Sequence, residues 1–417
     1  MLLKNCRFIV TQNEKREILE NRDILIEDKI LEIGNNISKK DEVIDCSNKI
    51  VIPGLINCHT HIPMNLFRGV SDDKNLQRWL KEEIWPREAK LNEEMVYYGS
   101  LLAMGEMLLT GTTCFNDMYF FTENIAKAAK KAKMRCFLGC AMFDFFDSDK
   151  TDAEIEKEEK EINKILSLKN EKIKPSVTPH SSETCSDELL VKSSKLAEKY
   201  NLPIHIHLSE TEKEVNECIK QRGKRPLSLF EDLGLLKNRF VGAHGIYLNE
   251  AEIEILNKKK GFIAYNPCSN AKLASGICSA KELKYLCIGT DSVASNNNLN
   301  LFEEMKFGVL LQRIKYNVDA MNAERIFDSA TINGARALGI EKVVGSIESG
   351  KEADLVLIDK DNIFLNPNYN IISNLIYSFN GVVSDVLIGG EFVVRNRKIL
   401  SFELEKILKK VNSFNFS

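Results

Sequence analysis

Between Ile50 and Asp291 the chain carries eight short runs with strand character: Val51 to His59, Thr113 to Asp117, Arg135 to Phe143, Ile173 to Pro179, Pro203 to Leu208, Phe240 to His244, Phe262 to Asn266 and Tyr285 to Thr290. Most are separated by segments whose apolar residues recur at helical spacing, for example Glu123 to Lys133, Asp187 to Lys199 and Glu250 to Lys259. Eight strand–helix units over about 240 residues is the arithmetic of an α/β chain closed into a TIM-type (β/α)8 barrel. An open doubly wound sheet competes with it, but would gather its polar residues near one switch point. Here they stand at the C-terminal ends of many runs.

The two ends of the chain change period. The first fifty residues alternate short apolar runs (Arg7 to Val10, Asp23 to Ile26, Lys29 to Ile33, Glu42 to Ile44) with polar turns such as Gly34-Asn35-Asn36. From about Val344 the pattern returns in Ala353 to Ile358, Val382 to Ile388 and Glu391 to Val394, with Gly389-Gly390 as a tight turn. The expectation is one small composite β-sandwich domain from residues 1–53 and 345–417, and a catalytic barrel from residues 54–344.

Composition bounds what such a barrel meets. Lys plus Arg number 57 against 60 Asp plus Glu, a net charge of -3 that offers no basic surface to nucleic acid or membrane. The eleven cysteines are scattered without a CxxC pair, and MLLKNCRF lacks the apolar core of a signal peptide, so a cytoplasmic protein with reduced thiols is expected. Apolar segments such as Tyr98 to Thr110 carry Gly or Glu and are too short to span a bilayer. The Glu/Lys-rich run from Thr151 to Lys172 reads as a solvated helix face.

Histidine is concentrated at the strand ends. The chain has six: His59 and His61 close the first run, His180 follows the fourth, His205 and His207 lie in the fifth, and His244 ends the sixth, while the eighth ends in Gly289-Thr290-Asp291. A lone histidine is more often structural than a ligand, but six of six at the active edge of one barrel imply a metal site. Alternate residues of a strand share a face, so His59 and His61 aim both imidazoles at one point. Neutral imidazoles with a carboxylate suit zinc or another divalent transition metal.

Four ordered segments, PGLINCHTH, PIHIHLSET, VGAHGIYL and IGTDSVASNN, resemble the motifs of the amidohydrolase superfamily and, within it, the 5'-methylthioadenosine/S-adenosylhomocysteine deaminase-like branch. The later SIESGKEADLVLID resembles the returning sheet domain of that family. The resemblance implies one divalent metal per chain, Zn2+ foremost with Fe2+ or Mn2+ compatible, held by His59, His61, His207 and Asp291. Strand four offers Pro179-His180 and no lysine to bridge a second metal. His205, two residues deeper than His207, reads as a barrel-interior residue.

A metal that lowers the pKa of water towards ~7 makes hydroxide available at neutral pH. Asp291 is then the group that takes the water's proton, Glu210 the acid that protonates a ring nitrogen, and His244 the group that holds the attacking oxygen. The resemblance adds Trp79 against the ligand, and Glu88 and His180 on the ribose hydroxyls. The implied activity is hydrolytic deamination of adenosine-type nucleosides, giving the inosine analogue and ammonia.

One departure bears on the substrate. Members that handle S-adenosylhomocysteine place arginines at the end of strand three and in its loop, where this chain has Gly139-Cys140-Ala141 and an Asp144 to Thr151 loop with Lys150 but no Arg. Methylthioadenosine, 5'-deoxyadenosine or adenosine are therefore expected to be preferred. Competing readings are another amidohydrolase, such as a guanine deaminase or a triazine amino- or chlorohydrolase, and an inactive metal-binding scaffold. HExxH, GxSxG and PCxxC are absent, and GSIESGK lacks the Ser or Thr of a phosphate loop. The partner expected is a small nucleoside, with no nucleic acid or membrane, and the resemblance implies a homo-oligomer.

Overall fold

The computed structural model describes residues 1–38, 42–74 and 76–415. Five strands come first, β1 (Leu2–Val10), β2 (Ile18–Ile26), β3 (Ile30–Gly34), β4 (Val43–Asp45) and β5 (Lys49–Pro53). Eight follow through the middle of the chain: β6 (Leu55–Thr60), β7 (Thr112–Tyr119), β8 (Arg135–Cys140), β9 (Ile173–Pro175), β10 (Ile204–Leu208), β11 (Phe240–His244), β12 (Phe262–Tyr265) and β13 (Leu286–Ile288). The last are β14 (Leu355–Asp359), β15 (Asp385–Ile388), β16 (Glu391–Arg395) and β17 (Lys398–Ile399).

The middle strands make a (β/α)8-type barrel from two parallel ladders, β6-β7-β8-β9 and β10-β11-β12-β13. The ladders meet at two seams through isolated parallel bridges, Val177 with Ile204 and Thr60 with Asp291. Seven of these strands are buried at every position, as parallel strands covered on both faces must be, and β9 at all but Lys174. The second seam matters for chemistry, because it sets Asp291 beside the strand that carries His59 and His61.

Strands from both termini share one further sheet, ordered β17-β16-β15-β14-β5-β1-β2-β3, with β4 paired to β1. β14 runs antiparallel to β5 and so ties the C-terminal strands to the N-terminal ones. Side chains alternate across the sheet's central strands β5, β14 and β15. Val51, Leu355, Leu357 and Leu387 enclose a core of the sheet's own with Leu3, Ile24 and Ile26, while Ile50, Ile52, Val356, Ile358 and Val386 join the main core of the barrel and its helices. Both faces are thereby covered.

Two sequence expectations are refined. The run Val51 to His59 is two strands of two different sheets, broken at Gly54, where a Cβ would overlap the Thr113 side chain. An unbroken apolar run carries no sign of that change of partner. The Glu/Lys-rich run forms the helix Ser148–Ser167, which is solvated on one face but buries Thr151, Glu158, Ile162 and Ile165 on the other. Glu158 is wholly inside, and its Oε2 accepts the Cys140 amide at 2.9 Å at the end of β8. Among the charged residues of this helix, Glu158 is the one that is buried and departs from a solvated face. All eleven cysteines are free and buried. Among the described residues no helix is long and apolar enough to cross a membrane.

Candidate metal centre and active site

The imidazoles at the strand ends are held in defined tautomers. His61 Nδ1 donates to the Met118 carbonyl at 2.6 Å, and His207 Nδ1 donates to the His180 carbonyl at 2.8 Å. Each ring is thereby left with a bare lone pair on Nε2 if it is neutral. These two Nε2 atoms are 3.2 Å apart. Two acceptors that close repel unless a cation lies between them.

His59 completes the arrangement from below. It is fully buried, its Nε2 has no hydrogen-bond partner, and that atom lies 3.5 Å from Asp291 Oδ1, while His61 Nε2 lies 3.4 Å from the same oxygen. The ligand atoms of His59, His61 and His207 all lie within 4.8 Å of one another, as do those of His59, His244 and Asp291. Burial holds the His59 ring down to about 3 and His207 well below its ordinary value, which keeps both in the neutral, ligating form. An orphaned buried nitrogen, facing lone pairs and a carboxylate constitute a donor set for one divalent cation, and three nitrogens with one oxygen suit zinc.

Asp291 is built to stay ionised. Ser269 Oγ at 2.6 Å and Ser295 Oγ at 2.8 Å donate to Oδ2, and the Ser292 amide donates to Oδ1 at 2.7 Å. Burial opposes its ionisation, but the contact with His59 and the surrounding imidazoles outweigh burial and hold the carboxyl well below its usual range. Asp291, His244 and Ser209, all at strand ends, adopt positive φ values of 61°, 75° and 47°. Left-handed backbone in such residues is strain retained where function needs a side chain aimed.

Glu210 and His244 stand beside this centre, with Glu210 Oε2 3.7 Å from His244 Nε2. Burial, and then the charges of Asp291 and Glu183, push the Glu210 carboxyl up to about 8. Its acid form is therefore favoured at neutral pH. Its backbone is clamped by Glu214, whose carboxylate accepts the Ser209 and Glu210 amides at 3.1 and 2.7 Å. His244 Nδ1 donates to Asn270 Oδ1 at 2.8 Å, so Nε2 is the atom turned to the site.

Above the centre lies a cavity of about 770 Å3 whose walls include His61, His207, Glu210, His244 and Asp291, together with Trp79, Glu88 and His180. All nine residues singled out in the sequence thus converge, eight on the cavity and His59 directly beneath it. Lys150 does not contribute to the wall. It pairs with Asp147 at 3.0 Å in solvent. Among the described lining residues the cation is Lys157, on the helix after that loop, 5.9 Å from the Phe120 ring centre. The same end of the cavity is walled by Cys140, Ala141, Phe143 and Phe145.

Several contributors were not legible. His205 is an interior residue as expected, yet it also backs His59, with Nε2 2.8 Å from His59 Nδ1. The alternation IHIH held that signal, since His205 and His207 share a face. Ser269 and Asn270 act through tertiary contacts that no spacing announces, while Ser295 and Glu214 act locally, each four residues from the group it holds.

Comparison with known proteins places this geometry in context. Residues 50–393 match the model of the amidohydrolase family. The chain is 47% identical over 421 residues to the 5'-deoxyadenosine deaminase of Methanocaldococcus jannaschii, covering 98% of this chain and 97% of that protein. It superposes with a TM-score of 0.94 on the crystal structure of an adenosine deaminase from Xanthomonas campestris with bound zinc, at 32% identity and with 99% and 96% of the two chains covered. An atrazine chlorohydrolase from Arthrobacter aurescens complexed with zinc gives a TM-score of 0.91 at 20% identity, covering 99% of each chain, a likeness of fold alone.

Proposed function

The chain belongs to the amidohydrolase family, and we propose that it is a metal-dependent hydrolytic deaminase of adenosine-type nucleosides, with 5'-deoxyadenosine as a principal substrate. The observation that carries this reading is the pairing of a cation-shaped donor set, His59, His61, His207 and Asp291, with a carboxyl that burial keeps protonated, Glu210, on the floor of one cavity.

A divalent metal, which His59, His61, His207 and Asp291 would hold, would supply a strongly activated water at neutral pH. Asp291, ionised and fixed by three donors, accepts the proton of the attacking water. His244 presents Nε2 to the attacking oxygen and orients it. Glu210 in its acid form protonates the ring nitrogen next to the amino-bearing carbon, which makes that carbon electrophilic. As the tetrahedral adduct collapses, the proton held by Asp291 passes to the amino group, the C–N bond breaks, the remaining proton of the adduct's hydroxyl returns to Glu210 as the C=O forms, and ammonia and the inosine analogue leave.

Glu88, His180 and Trp79 give this centre its nucleoside preference. A carboxylate accepts two vicinal hydroxyls at once, His180 adds a second polar contact, and Trp79 offers a buried flat face. The aromatic wall of Phe143 and Phe145 suits a small uncharged 5' substituent. A free-base aminohydrolase or triazine hydrolase has no use for Glu88, and an inactive scaffold has none for a protonated Glu210. The protein is further proposed to work as a cytoplasmic homo-oligomer, which sedimentation and fractionation test.

The reading is tested by an ultraviolet assay of zinc-loaded protein on 5'-deoxyadenosine, methylthioadenosine, adenosine, S-adenosylhomocysteine, guanine and a chlorotriazine. Ammonia release is expected from the adenosines, fastest from those with uncharged tails. Turnover confined to guanine or the triazine overturns the reading, and a maximum with S-adenosylhomocysteine overturns the tail preference.

A further inference from the structure

We propose that Tyr119 is a positioning residue for nucleoside recognition: its hydroxyl latches the arch over the cavity and sets Glu88 to receive the sugar. The inference rests on the function proposed above and deepens it. Tyr119 is the last residue of β7, 3% exposed, and its hydroxyl donates to Glu88 Oε1 at 2.7 Å. Its ring lies 5.1 Å from that of Phe120 and 6.4 Å from that of His61, so the phenol stands on a packed floor beside the metal centre.

Glu88 sits at the end of an arch built from three short turns, Leu76–Trp79, Leu80–Ile84 and Trp85–Glu88, the middle one π-helical. Such single π turns recur where a helix is bent for function. The arch carries three glutamates, of which Glu88 lines the cavity, and they are treated differently. Glu82 and Glu83 are neutralised by Lys74, with Arg78 and Arg87 as second partners. Among the described residues Glu88 makes no ion pair, and a neutral hydroxyl is its partner.

That difference has a chemical consequence. A lysine or arginine would compete with hydroxyl groups for the carboxylate. A phenol engages Oε1 and fixes the side chain of a carboxylate that, like the phenol, lines the cavity. Burial works against ionisation of Glu88, and the Tyr119 hydrogen bond works for it. Only the ionised form accepts from both hydroxyls of a vicinal diol. Tyr119 therefore acts through Glu88 and not on the reacting atoms.

The test compares Tyr119→Phe, Glu88→Ala and the double variant on 5'-deoxyadenosine and on 2',3'-dideoxyadenosine, which lacks both hydroxyls. The chain's two tryptophans, Trp79 and Trp85, both line the cavity, so quenching of their emission by 5'-deoxyinosine reports binding without turnover. Loss of a hydrogen bond to a charged group is expected to raise KM for 5'-deoxyadenosine about tenfold in Tyr119→Phe, with kcat changed less than about twofold. The inosine titration should weaken in parallel, KM for the dideoxy nucleoside should stay within about twofold, and the double variant should be no worse than Glu88→Ala. Equal KM shifts on both nucleosides, or additive losses in the double variant, overturn the assignment. If the wild-type protein deaminates neither nucleoside, the proposed reaction itself fails, and this assignment falls with it.

Discussion

Replacing Glu210 by Gln isolates the proton donor from everything else in the site. The amide matches the carboxyl in shape, and the backbone that places it is held from outside, by Glu214 on the Ser209 and Glu210 amides. The donor set loses nothing, since Glu210 lies outside His59, His61, His207 and Asp291. What disappears is a transferable proton at a position 3.7 Å from His244 Nε2. General acid catalysis contributes about 10^2- to 10^4-fold, so kcat should fall by that factor, equivalent to about 3–5 kcal/mol of barrier.

The pH profile supplies a second readout for the same variant. Burial raises the Glu210 carboxyl to about 8, so the acid form prevails at pH 7 and is lost as pH rises through that value. A bound cation draws the value down, which puts the alkaline fall in wild-type kcat/KM at or below about pH 8. The Gln variant should lack that limb. In metal-free protein the sign for stability is the same: the contribution of a raised carboxyl is full below its ordinary 4.5 and lost as pH rises through about 8. The Gln variant should then unfold no lower than wild type at pH 8. The assay is initial-rate deamination at saturating nucleoside with metal content measured on the same sample. Activity within tenfold of wild type at equal metal content would refute the role given to Glu210.

Three other perturbations separate ligand, support and scaffold. His207→Ala should abolish both bound metal and turnover, because it removes one of the two lone pairs that face each other at 3.2 Å; intact metal content by elemental analysis would contradict the ligand set. His205→Ala should weaken metal binding about 10- to 100-fold, the usual effect of losing a residue that orients a ligating imidazole, and competition with a chromogenic chelator measures it. Glu158→Ala strips an acceptor from the Cys140 amide in a dry wall and should lower stability by about 1–3 kcal/mol in denaturant titration; an unchanged midpoint would mean that this carboxylate is idle.

Much of this architecture was legible because barrel strands leave a strong local signature. Phe240 to His244 is a strand at both levels, and six of the other middle runs differ from the observed strands only at their ends, while Val51 to His59 is split at Gly54. That the strand-end histidines and Asp291 converge was legible for a related reason: in a parallel barrel every strand delivers its last residues to one face, so order along the chain becomes proximity in space, whereas the choice of His59, His61, His207 and Asp291 among them came from the family resemblance. The failures share the opposite cause. Glu158 looked like its solvated neighbours because a helix buries one residue per turn or two, and a charged run hides which one. Lys157 lines the cavity while Lys150, earlier on the same helix, pairs with Asp147 in solvent, a difference that the composition of the segment does not announce. Tyr119 and Glu88 are 31 residues apart, and nothing in either segment indicates that they meet.

The most direct measurement combines elemental analysis of the purified protein with ammonia release from 5'-deoxyadenosine, followed as a chelator strips the metal and zinc restores it. The expected result is one equivalent of divalent metal per chain, one ammonia per nucleoside consumed, and loss and recovery of the two together. A protein that holds its metal and releases no ammonia from any adenosine, or that deaminates equally well once the metal is gone, would contradict the assignment at its centre.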